Sequence, residues 1–186
     1  MGRWEPDAAG RLRDAAMALY AEQGYDGTTV AEIADRAGVT ARTFFRHFTD
    51  KREVLFAGSE DLERRMVDAL SAAPRAAGPM DAIAVGLLSA AELFADRRDY
   101  SRRRQAVIAA TPELREREFI KMASLVAAFT EALRLRGVEP AVASLAAETG
   151  VAVFRVAFER WIAGPDDADL ADVMRGTLAA LSGLTA

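Results

Sequence analysis

Five cations, Arg36, Arg42, Arg46, Lys51 and Arg52, share a stretch with a single acid, Asp50, giving a local charge of +4 in a chain whose formal net charge is −4. A basic island of this kind suits contact with a polyanion, because releasing counterions from closely spaced phosphates supplies affinity that does not depend on sequence. The acidic balance elsewhere does not oppose this, since only the contacting face has to be positive. Arginine can also read a sequence by pairing bidentately with O6 and N7 of guanine in the major groove, which makes Arg42 and Arg46 the candidate readers. Other chemistry is poorly provided for. His47 is the one histidine and there is no cysteine, so zinc lacks a ligand set, and there is neither a thiolate nucleophile nor a disulfide framework. The expectation is a protein that is not an enzyme and that uses no metal and no cofactor.

To act together these cations need a scaffold, and the intervening residues encode one. Thr29 and Glu32 have the spacing of a capping box, in which each side chain satisfies an unpaired N–H at a helix start. Val30, Ile33, Ala34 and Ala37 then fall on one apolar face. Gly38 follows where a positive φ ends a helix, Val39 plugs the corner, and Thr40 is placed to cap the next helix. That helix, Ala41 to Phe48, puts Phe44 and Phe48 on one side at i and i+4 and leaves Arg42, Thr43, Arg46 and His47 on others. Asp50 and Glu53 open a further helix. Helix, tight turn and second helix with polar and basic groups exposed is the helix-turn-helix pattern.

At Gly24-Tyr25-Asp26-Gly27-Thr28-Thr29-Val30, Ile33-Ala34, Ala37-Gly38-Val39-Thr40, Thr43-Phe44-Phe45, Phe48 and Lys51-Arg52-Glu53-Val54-Leu55 the chain closely resembles the DNA-binding domain of the TetR family of transcriptional regulators, over roughly residues 10–56. The resemblance implies roles for particular positions. Thr28 and Thr29 would face a phosphate at the start of the second helix. Ala41, Arg42, Thr43 and Arg46 would face the groove, Ala41 offering apolar contact alone, and His47 and Lys51 would touch phosphate. Phe45 stands where the family usually has Tyr; without the hydroxyl it would lose a phosphate hydrogen bond and pack against sugar or a thymine methyl. Further along, residues 102–118 (R-R-R-Q-A-V-I-A-A-T-P-E-L-R-E-R-E) and 154–161 (F-R-V-A-F-E-R-W) resemble the C-terminal domain of mycofactocin-type TetR regulators, a group linked to acyl-coenzyme A ligands. That resemblance implies a ligand pocket, for which Met66, Leu88, Phe94, Arg103, Met122, Phe129 and Phe154 are the candidate lining residues. Arg102 to Arg104 would meet coenzyme phosphates, against the alternative that they form a charged face paired with Asp96, Asp99 or neighbours.

The rest of the chain sets the frame. All six prolines, Pro6, Pro74, Pro79, Pro112, Pro140 and Pro165, fall where helices begin or end, as a residue without an N–H must, and no alternating run suggests a strand. The fold class is therefore all-α, with nine helices in two domains. Residues 1–52 are read as a three-helix DNA-binding domain and 53–186 as a helical ligand-binding and dimerisation domain. A fourth helix, from near Asp50 to Ala72, would belong to both domains and act as a lever between them. Gly150 and Gly176, inside the last two helices, each cost about 1 kcal/mol relative to Ala. With the second apolar side of the eighth helix (Val142, Leu145, Val153, Val156), they suggest a self-complementary dimer face on helices eight and nine. No apolar run of membrane-spanning length is expected, and the first residues lack the apolar core of a signal peptide, so the chain reads as cytoplasmic. These features point to a homodimeric repressor that binds a near-palindromic operator and is released by a small hydrophobic effector, with an acyl-CoA as candidate. The competing readings are an all-α small-molecule-binding module without regulated DNA binding and an architectural DNA binder with no effector.

Overall fold

The computed structural model describes residues 7–94 and 97–184, so Pro6 and Asp96 lie outside the described residues. The regular structure among the described residues is helical, as expected. It comprises α1 (Ala8–Gln23), α2 (Val30–Arg36), α3 (Ala41–His47), α4 (Ser59–Ala72), α5 (Pro79–Ala91), α6 (Arg98–Ala110), α7 (Pro112–Leu135), α8 (Pro140–Ala163) and α9 (Leu170–Leu184), with 3-10 turns at Glu53–Phe56 and Glu92–Phe94.

The chain divides into two compact units. The first takes the described residues up to Ala57 together with Arg103–Glu118; the second takes Gly58–Arg102 and the residues from Phe119 onward. In the first unit Leu12, Ala16, Ile33 and Phe44 are fully buried, so each of its three leading helices contributes to one core. Local hydrogen bonds join them. The Tyr20 hydroxyl donates to the Lys51 carbonyl at 2.7 Å, and Arg11 Nε donates to the Ala37 carbonyl at 3.2 Å. The middle of the chain completes this unit. Ile108 and Leu114 are fully buried. Arg104 Nε donates to the Leu55 carbonyl at 2.7 Å with its guanidinium 5.0 Å over the Phe56 ring. Arg117 grips Glu53 through two bonds of 2.5 and 2.9 Å.

The fourth helix differs from expectation. Instead of running from Asp50, α4 starts at Ser59, after the 3-10 turn. Asp50 Oδ1 accepts from the N–H groups of Arg52 (2.8 Å) and Glu53 (3.2 Å), which closes a tight turn there. Val54, Leu55 and Phe56 are then buried in succession, a demand that the single inner face of an α-helix cannot meet. Gly58, at φ +84°, turns the chain into α4. The elements divided between the two units are α6 and α7.

The second unit has one apolar core, in which Met66 and Leu70 of α4, Ile83 and Leu87 of α5, Phe129 and Leu133 of α7, Ala147 and Trp161 of α8 and Met174 of α9 are all buried. Gly150 belongs to this core. A Cβ there would lie 2.5 Å from Ile83 Cγ2, so its bareness lets α8 approach α5 within one chain, and the dimer explanation for it is corrected. Gly176 has open space around it. The membrane expectation is corrected as well. α8 carries an 18-residue window of mean hydropathy 1.5, enough in length and composition to cross a bilayer, with 44% of that window buried inside the chain. Its apolarity is accounted for by its place in the second unit's core. Arg98, 8% exposed, donates to the carbonyls of Trp161 and Pro165 at the C-terminal end of α8. Its charge suits the negative end of the helix dipole.

Candidate nucleic-acid interface

Each part of the helix-turn-helix is held by the residues that predicted it. Thr29 Oγ1 accepts from the Glu32 N–H at 3.2 Å, while the Glu32 carboxylate accepts from the Thr29 N–H at 2.7 Å and from its hydroxyl at 2.8 Å. These bonds hold the Glu32 carboxyl below its ordinary pKa. Gly38 turns at φ +68°, which lets the Val39 N–H reach back to the Ala34 carbonyl at 2.9 Å. Thr40 Oγ1 accepts from the Thr43 N–H at 3.2 Å and starts α3. Phe44 is fully buried and Phe48 nearly so, their rings 5.6 Å apart. This anchor points the opposite side of α3 outward.

On that outward side Arg42, Thr43, Phe45 and Arg46 line one open concavity. Ala41 and His47 flank it and are exposed. Arg42, Arg46 and His47 have no hydrogen-bond or ion-pair partner among the described residues. The other cations of the basic stretch are engaged. Arg36 holds Glu22 through two bonds of 3.0 and 2.8 Å, and the hydrogen bond from Arg36 keeps the Glu22 carboxyl below its usual range. Arg52 holds Asp50 at 2.7 Å, which depresses that carboxyl likewise. Lys51 Nζ donates to the carbonyls of Tyr25 (2.7 Å) and Thr28 (2.9 Å) and lies 4.2 Å over the Tyr25 ring. Burial pushes the Tyr25 phenol up to about 12.

Two expected phosphate contacts are therefore differently occupied. Thr28 is 1% exposed and its hydroxyl donates to the Gly24 carbonyl at 2.7 Å, so the hydroxyl is committed inward. Lys51 ties down the loop before α2 with two of its three N–H bonds. Both corrections have one cause: the turn from Gly24 to Thr28 leaves carbonyls without helical partners, and these side chains satisfy them. Thr29 is exposed, with its hydroxyl in the capping box.

The candidate ligand residues separate. Met66, Phe129 and Phe154 are buried in the second unit's core, and Leu88, Phe94 and Met122 pack against it half-buried. Phe94 meets Phe158 at 5.4 Å and Trp161 at 6.1 Å. Arg103 is exposed and belongs to the first unit, so it is not part of that cluster. Arg102 donates to the Ile162 carbonyl at 3.0 Å and pairs with Asp166 and Asp99. Arg104 pairs with Glu118 at 3.4 Å, so both neighbours of Arg103 have protein partners. Among the described residues no cluster of potential ligands could hold a metal ion. What the sequence reading missed is the Glu53–Arg117 and Arg104–Leu55 contacts. Their only sequence signal was the density of charge around 102–118.

Residues 12–57 match the bacterial regulatory proteins of the tetR family, and residues 77–185 match the MftR C-terminal domain. The transcriptional regulator TcmR of Streptomyces glaucescens is 38% identical over 68 residues, which cover 37% of this chain and 30% of TcmR. The transcriptional repressor KstR2 of Mycobacterium tuberculosis is 38% identical over 63 residues, 34% of this chain and 30% of KstR2. The chain thus aligns with under a third of either relative. Among solved structures, FadR of Bacillus subtilis in complex with stearoyl-CoA superposes with a TM-score of 0.63 at 20% identity, covering 92% of this chain and 96% of that one. At that identity the likeness speaks for the fold alone.

Proposed function

The chain belongs to the TetR family of DNA-binding transcriptional regulators, with a C-terminal domain of the MftR type, and from that premise we propose that it is a cytoplasmic, homodimeric repressor released from its operator by a small hydrophobic effector. The observation that carries the DNA reading is the pair of guanidiniums, Arg42 and Arg46, without a partner among the described residues, on the exposed side of a helix anchored by Phe44 and Phe48. Ala41, Thr43 and Phe45 complete the groove-facing surface. Thr29 at the α2 N-terminus and His47 would serve as phosphate contacts.

A two-fold operator needs two copies of α3 in successive major grooves, about 34–36 Å apart. α8 and α9 are our choice for the pairing face. Val142, Leu145 and Val156 are 48%, 69% and 41% exposed on α8, and Gly176 leaves α9 open. For the effector we propose an acyl-CoA. Support comes from the MftR-type match and from FadR, which was solved with stearoyl-CoA. The acyl chain would enter among Met66, Leu88, Phe94, Met122, Phe129 and Phe154. Release requires that the effector bind the DNA-incompetent arrangement more tightly, with a coupling of about 1–3 kcal/mol.

A gel shift on the DNA upstream of its own gene, with and without long-chain acyl-CoA, tests this. We expect a salt-sensitive complex that weakens roughly 5- to 150-fold with effector. A complex indifferent to every acyl-CoA would remove the effector proposal and leave an architectural binder. Absence of any complex in dilute buffer would leave only a small-molecule-binding module.

A further inference from the structure

We infer that Phe45 is a specificity-determining residue whose ring reads the 5-methyl group of a thymine in each operator half-site. The inference rests on the DNA-binding reading above and deepens it. A single exposed apolar side chain is ordinary on a protein surface, so the 59% exposure of Phe45 alone decides nothing. Its surroundings do. It lines one concavity with Arg42, Thr43 and Arg46, and the two arginines have no partner among the described residues. A surface that brings two free guanidiniums to a duplex also brings this ring to it, since positions 42, 45 and 46 share one side of a helix.

The ring has nothing with which to satisfy a phosphate or a hydrogen-bonding base edge. Pressed against such groups it would strip their water and return no bond. In the major groove one apolar group is on offer, the thymine C5-methyl. The ring is also held in place. It meets the Phe44 ring at 5.4 Å and 81° in a T-shaped pair, and Phe44 is fully buried. An aromatic ring with its orientation set in advance loses little freedom on binding. Arg42 and Arg46 beside it would take guanines, so the expected half-site carries a thymine next to the guanine contacts.

The test removes one methyl group and leaves base pairing intact. Duplexes are selected from a random pool by the full-length protein in low salt. Each thymine of the selected site is then replaced singly by uracil, and affinities are measured for wild type, Phe45→Ala and Phe45→Leu. One thymine per half-site should lose about fourfold on conversion to uracil in the wild type, the worth of one buried methyl. The loss should vanish in Phe45→Ala and persist in part in Phe45→Leu. Thermal melts check that both variants fold, and Phe45→Leu serves alone if Phe45→Ala does not. A selected half-site without thymine, uracil tolerance at every thymine, or a loss that persists undiminished in the folded Phe45 variants would overturn the inference while leaving DNA binding intact. Failure to select any duplex would overturn the DNA-binding reading, and this inference with it.

Discussion

A guanidinium that already grips a carboxylate brings less to a polyanion than one that grips nothing. The basic stretch holds both kinds. Arg36 and Arg52 are neutralised in place by Glu22 and Asp50, whereas Arg42 and Arg46 carry their charge outward with no ion pair among the described residues. Each phosphate neutralised contributes about 0.9 to the slope of log affinity against log salt. Arg42→Ala and Arg46→Ala are therefore expected to lower affinity and, where they read guanine, to relax preference at particular base pairs by about 1–3 kcal/mol. Arg36→Ala should leave the slope nearly unchanged. Fluorescence anisotropy across a salt series, on selected and random duplexes, separates these outcomes. An equal fall on both duplexes for Arg42→Ala would reduce that residue to a phosphate contact. Lys51 acts by a different route. Its ammonium secures two loop carbonyls, so its removal would loosen the approach to α2 as well as subtract a charge.

Among the elements, α7 is tied to the 3-10 turn after the basic stretch by an ion pair. The Glu53–Arg117 pair is less than a third exposed on both sides, and its bidentate geometry fixes the 3-10 turn that ends the basic stretch. The Glu53 hydrogen bond also raises the affinity of the Arg117 guanidinium for its proton. A pair in this setting lies between an exposed ion pair and a buried charged hydrogen bond, so its coupling should be about 1–2 kcal/mol. A double-mutant cycle with Glu53→Ala and Arg117→Ala, read by urea unfolding, measures it. A coupling near zero would mean that the buried neighbours Leu55 and Phe56 hold the turn without help. α6 and α7, and not α4, have residues in both units.

For the whole molecule the open matter is what covers the outer side of α8. Val142, Leu145 and Val156 are exposed on a helix whose other side is built into a core. If that side pairs with a second copy, Leu145→Arg should convert the protein to a monomer by light scattering. It should also abolish tight operator binding while leaving the helical content of each chain unchanged. A dimer that survives this substitution would move the pairing face elsewhere. An unchanged operator affinity in a monomer would end the two-fold account.

The sequence by itself determined the helices and the helix-turn-helix, because the devices that make them act within a few residues. Thr29 bonds Glu32, Thr40 bonds Thr43, and Gly38 turns the chain where no Cβ is in the way. Phe44 and Phe48 likewise declared the inner side of α3 from their spacing. Partnerships across long stretches of chain were decided only by the tertiary structure. Arg36 finds Glu22 14 residues away, Lys51 finds the Tyr25 carbonyl 26 away, and Arg117 finds Glu53 64 away. None of these has a local pattern, since any cation can take any acid or carbonyl that packing brings within reach. The same holds for Gly150, whose need to be bare is set by Ile83 on another helix. Counting charges along the chain located the basic surface, but folding decided which of those charges were left free to act.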